Sequence, residues 1–169
     1  MRTTIIQVSA VLAAILSLAG SSAQAQSANI TATATVYQAM TVTGARTLDF
    51  GNVFPGVAKS IGVAAATSGR FDLTGQNSAN VNLTFTLPTD LVNTAPTADL
   101  MPIGSWTGCR NATNTTAGCT SFTPSGSATA SAFSGAGALF VFVGGTVTPA
   151  ANQAAGTYNG TVTLTAAYF

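Results

Sequence analysis

The side chains capable of chemistry can be named in full. Outside a short leader, the bases are Arg46, Lys59, Arg70 and Arg110, the acids are Asp49, Asp72, Asp90 and Asp99, and the thiols are Cys109 and Cys119; histidine and glutamate are absent. Without imidazole there is no Ser-His-Asp or Cys-His nucleophile and no base that titrates near neutrality. Four scattered aspartates are a poor source of the carboxylate pair that acid–base chemistry uses. Asp49 alone has a distinctive setting, Leu48-Asp49-Phe50-Gly51. Asp-Phe-Gly also holds metal in kinases, but no glycine-rich nucleotide loop or catalytic loop accompanies it here. Asp49 is expected to face outward beside buried Leu48 and Phe50, with Gly51 turning the chain. Lys59, the sole lysine, reads as a solvated edge residue. Two thiols without histidine do not complete a metal site. The inventory describes a protein that is not an enzyme, with no catalytic residue, metal or cofactor.

The thiols instead read as a disulfide. The N-terminus has a secretory leader's layout: Arg2, an apolar run from Ile5 to Ala19, then the small-x-small triplet Ala23-Gln24-Ala25. Cleavage after Ala25 leaves 144 residues, without another stretch of 18 apolar residues that could span a bilayer as a helix. Export through the Sec pathway places Cys109 and Cys119 in an oxidising compartment, where an even pair is expected to bridge. The mature chain is expected to pass through the periplasm and work at the cell surface or in an extracellular filament. Its four bases balance its four acids, and charged residues are 5% of the whole chain against about 25% in typical soluble domains. Low charge removes the repulsion that keeps copies apart, and suits a chain packed against itself. With no basic stripe, nucleic acid is not an expected partner.

The elements that must position these residues are strands. Val, Thr, Phe, Ile and Tyr recur in short runs broken by Gly, Pro, Asn and Ser, and no window carries a helical apolar stripe. Val81, Leu83, Phe85 and Leu87 alternate with polar residues up to Pro88. Phe71 and Leu73 flank Asp72 in an earlier strand. Leu139 to Val143 is continuously apolar, as in a strand buried on both faces. Gly144-Gly145 then marks a bulge or a close backbone approach. Residues 149–156 form a turn region, and residues 121–134 fit either a small-residue edge strand or a long loop. Turn signals every 8–12 residues point to an immunoglobulin-like β-sandwich. Trp106 precedes the loop closed by Cys109 and Cys119. It is either a core anchor or, with Arg110, part of an adhesive loop over residues 105–121.

The two ends of the mature chain carry the functional expectation. In residues 29–36, Ile30, Ala32, Ala34 and Val36 point one way while Asn29, Thr31, Thr33 and Thr35 point the other. At the C-terminus Val162, Leu164, Ala166 and Tyr168 share a face. Either both are strands of a complete domain, or the domain lacks a strand that residues 26–37 supply to a neighbouring copy. A membrane barrel would place apolar residues in register with the terminal Phe169, but those positions are Ala167, Thr165, Thr163 and Thr161.

Leu48-Asp49-Phe50-Gly51-Asn52-Val53 with Pro55-Gly56, Val143-Gly144-Gly145-Thr146-Val147, and the ending from Pro149 through Gly156-Thr157-Tyr158 to Thr161-Val162-Thr163-Leu164 resemble the bacterial family catalogued as domain of unknown function 4402. The same ground plan is similar to the spore-coat-U domains, pilin subunits of the archaic chaperone–usher pathway, although Met40 stands near the place where those pilins usually carry a cysteine. The resemblance implies a pilin-type immunoglobulin-like fold. It also implies an N-terminal donor strand and a C-terminal strand that a periplasmic chaperone caps before an outer-membrane usher assembles the subunits. The expected organisation is a leader over 1–25, a donor segment over 26–38 and one pilin domain over 39–169. The expected partners are copies of the chain or related pilins. A self-complete secreted or surface-layer binding module is the alternative.

Overall fold

The computed structural model describes residues 25–95 and 97–169. The expected leader thus lies, up to residue 24, outside the described residues. Residues 25–35 carry no strand and are exposed. Val36–Phe169 form a separate compact unit that holds all eleven strands found among the described residues, and no helix.

The strands make two sheets. In the larger, β1 (Thr41–Arg46) pairs with β3 (Gly69–Thr74), β3 with β9 (Ala138–Val147), and β9 with β6 (Leu100–Asn111). Beyond β6 lie β5 (Asp90–Asn93) and then β10 (Tyr158–Asn159). The short β2 (Lys59–Ile61) adds to β9, and β7 (Thr120–Phe122) adds to β6. The smaller sheet is β11 (Thr163–Tyr168), β4 (Asn80–Thr86) and β8 (Thr129–Ala132), in that order. Every ladder is antiparallel.

Alternation decides which side chains enter the core. In β4, Val81, Leu83 and Phe85 are at most 2% exposed while the residues between them are not buried. They meet Leu73 of β3, and Leu139, Val141 and Val143 of β9, in one apolar cluster that Leu164 of β11 joins. A side chain of this size adds about 1.5–3 kcal/mol when it leaves water. A second cluster of Met101, Ile103 and Val147 forms beside it, flanked by Phe50, Val53, Leu91 and Tyr158.

β9 is buried on both faces, as its uninterrupted apolar run predicts, and a cover accounts for the second face. Arg70, Phe142 and Cys109 sit opposite one another across β3, β9 and β6, so their side chains share the outer face. The Cys109–Cys119 disulfide ties the loop to that face. Arg70 clasps Asp72 at 2.7 Å and donates to Asn114 Oδ1 of the same loop at 2.9 Å. Beneath this cover Phe142 is only 3% exposed. Gly144 and Gly145 are sites of close approach: a Cβ on Gly144 would press into the Ile61 carbonyl, and one on Gly145 would meet the Trp106 ring at 3.2 Å. The bulge itself lies in the facing strand, between Gly104 and Thr107, where Ser105 takes a φ of 47°. Residues 121–134 include β8, an edge strand with small side chains.

Candidate functional site

Two strands that neighbour each other across the sheets have unused edges. β1 pairs only with β3, and β11 only with β4, among the described residues. Each edge strand presents backbone N–H and C=O groups that no ladder satisfies. The two strands run in opposite directions. Tyr168, at the end of β11, bonds to Gln38 just ahead of β1, while Val162, ahead of β11, shares a cleft with Arg46, at the end of β1.

That cleft has a volume of about 690 Å³. Gly44 and Arg46 of β1 line one side, and Gly160, Thr161 and Val162 line the other. Its floor is core: Val143 and Val147 of β9, with Phe71, Leu91, Met101 and Ile103. Gly44, at the rim, leaves open space where a side chain would stand. The Arg46 guanidinium is held aside, donating from Nε to the Ser68 carbonyl at 2.6 Å and from Nη2 to Ser68 Oγ at 2.7 Å. The cleft thus offers an apolar floor between the end of β1 and the segment that leads into β11. Among the described residues no group of three or more His, Cys, Asp or Glu gathers to hold a metal.

At the opposite end of β1 and β11 the chain is fastened by a tyrosine clamp. The Tyr168 hydroxyl donates to the Gln38 carbonyl at 2.9 Å and accepts from the Gln76 N–H at 2.7 Å. The Gln38 N–H donates to Gln76 Oε1 at 3.3 Å, and the Tyr37 ring stacks on Tyr168 with centroids 5.0 Å apart. Gly75 lets the Tyr168 hydroxyl and the Phe133 ring come this close, since any Cβ there would lie 2.5 Å from the one and 2.8 Å from the other.

The residues singled out from sequence are distributed as follows. Leu164, Ala166 and Tyr168 of β11 and Val162 just ahead of it all turn inward, with Leu164 7% exposed and the others partly buried against the main cluster. Ile30, Ala32, Ala34 and Val36 are all exposed and lie in no strand. Asp49 is exposed between half-buried Leu48 and Phe50, and its Oδ1 accepts the Gly51 N–H at 2.7 Å, with Gly51 at a φ of 57°. Lys59 donates to the Asn52 carbonyl at 2.9 Å. Trp106 packs on both apolar clusters, and the Arg110 guanidinium lies 5.9 Å from the centre of the Phe122 ring. The clamp partners Gln38 and Gln76 carry no sequence signal, because a glutamine outside any strand is ordinary until its partner is known.

The family model described as Domain of unknown function (DUF4402) matches residues 26–168, which includes every strand. Among curated proteins, none matches the chain.

Proposed function

The chain belongs to the DUF4402 family, and on that footing we propose that it is a structural subunit of a bacterial surface filament. One copy passes residues 26–37 into the cleft between β1 and β11 of the next. The domain is then an immunoglobulin-like sandwich of the pilin type, one strand short. The observation that carries this reading is the pair of unused edges on β1 and β11, with a core-floored cleft opening beside the end of the one and the start of the other. An inserted strand satisfies backbone groups along an edge and covers the floor at the same time. The donor segment suits such an insertion, because one of its faces is Ile30, Ala32, Ala34 and Val36, and the two alanines let a strand lie close to the floor.

On this reading the leader sends the chain to the periplasm, where a chaperone of the chaperone–usher kind holds β11 and the cleft until an outer-membrane usher exchanges it for the donor segment. The 5% charge content lets subunits pack without repulsion. The test is Ala34→Asp in the mature chain. A carboxylate facing an apolar floor is costly to bury without a partner. The variant is expected to stay monomeric by light scattering while still accepting a wild-type peptide of residues 26–37. Polymers of wild-type length from Ala34→Asp would refute strand exchange through this segment. A full-length monomer that unfolds when residues 26–37 are removed would instead mean that the segment completes its own domain.

A further inference from the structure

Resting on the strand-exchange reading, we propose a second contact between successive subunits. The turn Phe54–Val57 of the acceptor is the seat for the Tyr37 end of the copy that donates the strand.

The turn is held by backbone hydrogen bonds, and its apolar side chains are mostly exposed. Val57 N–H donates to the Phe54 carbonyl at 3.1 Å, with Pro55 and then Gly56, at a φ of 71°, between them. This is the geometry of a turn that Pro and Gly favour at its two central places. A further bond from Gly56 N–H to the Ala150 carbonyl at 3.0 Å pins the turn to residues 149–153. The turn holds out two large apolar side chains, Phe54 at 68% and Val57 at 57% exposure. A preorganised apolar pair loses little freedom on contact, as a docking surface requires.

The location of the turn selects the occupant. Residues 51–53 line the cleft, so the turn begins where the cleft wall ends, at the Val162 end. A strand lying between β1 and β11 can run in either of two directions. Run parallel to β11, it would leave at the clamp end, where the acceptor's own Tyr37 and Gln38 are already fastened to Tyr168 and Gln76. Two chains would collide there. Run antiparallel to β11, and so parallel to β1, it leaves at the Val162 end, on the side of the cleft where Phe54 follows the wall residues 51–53. No spacer follows the donor strand: Val36 is its last apolar residue, and Tyr37 comes next, about 3.8 Å further along the chain. The donating copy's clamp therefore arrives at the mouth of the cleft, bringing a Tyr37 ring that remains 50% exposed in spite of its stacking on Tyr168. An apolar pair meets a half-exposed aromatic ring in a head-to-tail contact that repeats along an open chain.

The test compares the wild-type mature chain with a variant carrying both Phe54→Ser and Val57→Ser. Polymers are inspected by electron microscopy, and their loss of subunits is timed in denaturant. Neither changed residue lines the cleft, so the variant lacking residues 26–36 is expected to bind the peptide of residues 26–37 as tightly as the wild-type domain does. Its filaments are expected to form, to bend more sharply, and to shed subunits about tenfold faster or more, the effect of losing a buried apolar side chain. Filaments with wild-type stiffness and wild-type subunit loss would overturn the seat while leaving strand exchange standing. A variant domain that no longer binds the peptide would also overturn it, because the turn would then belong to the cleft itself. If the wild-type chain neither polymerises nor binds the peptide, strand exchange fails and the seat fails with it.

Discussion

Replacing Tyr168 by Phe isolates what the clamp contributes. The ring stays, with its stack on Tyr37 and its neighbour Phe133 at 6.0 Å. Only the hydroxyl is lost, and with it the bonds to the Gln76 N–H and the Gln38 carbonyl. A net hydrogen bond is worth about 0.5–1.5 kcal/mol. Gln38 is exposed and regains a water, whereas Gln76 is partly buried and regains one less easily. The two together therefore come to about 1–2 kcal/mol. For a chain near 150 residues that lowers the midpoint of thermal unfolding by roughly 3–6 °C. The measurement is best made on residues 36–169, which keep every strand and have no donor segment to exchange. Amide hydrogen exchange supplies a local readout, since the Gln76 N–H should exchange faster in Tyr168→Phe while the amides of β9 keep their protection. An unchanged midpoint together with an unchanged Gln76 exchange rate would refute the clamp as an anchor for the start of the domain.

Two further outcomes follow from packing. Gly144→Ala forces a methyl into the Ile61 carbonyl and to 2.7 Å from Thr107 Oγ1, contacts that are mostly backbone or strand-bound. It should destabilise the domain by about 1–3 kcal/mol or more in denaturant titration, and a neutral result would mean that β2 yields easily. Replacing Cys109 and Cys119 together by Ala opens a loop of sequence separation 10 and should lower stability by about 3 kcal/mol on chain-entropy grounds. It should also expose Phe142, read as faster exchange of the β9 amides around it.

Strand character and most of the core follow from local patterns along the chain. Period-two alternation in residues 81–87 and the unbroken run at Leu139–Val143 specify burial locally, because neighbouring side chains on a strand point to opposite faces. The Cys109–Cys119 bridge, the outward Asp49 with its turn at Gly51, and the shared face of Val162, Leu164, Ala166 and Tyr168 were legible for the same reason: each depends on near neighbours in the chain. The absence of histidine and glutamate is likewise a fact of composition.

Features that depend on distant segments meeting emerge only in the folded domain. A free edge is a property of pairing rather than of a strand, so nothing in Thr41–Arg46 or Thr163–Tyr168 announces that each lacks a partner on one side. Trp106 could have been an anchor or an exposed contact, and the fold placed it against both apolar clusters because the bulge at Gly104–Thr107 turns it there. The stapled loop could have projected outward, but Arg70, 44 residues away from Asn114 in the chain, draws it down over β9. The clamp joins Gln38 to Tyr168 across 130 residues. Local preference carries no information about such a meeting, which exists only once both sheets have closed on their shared core.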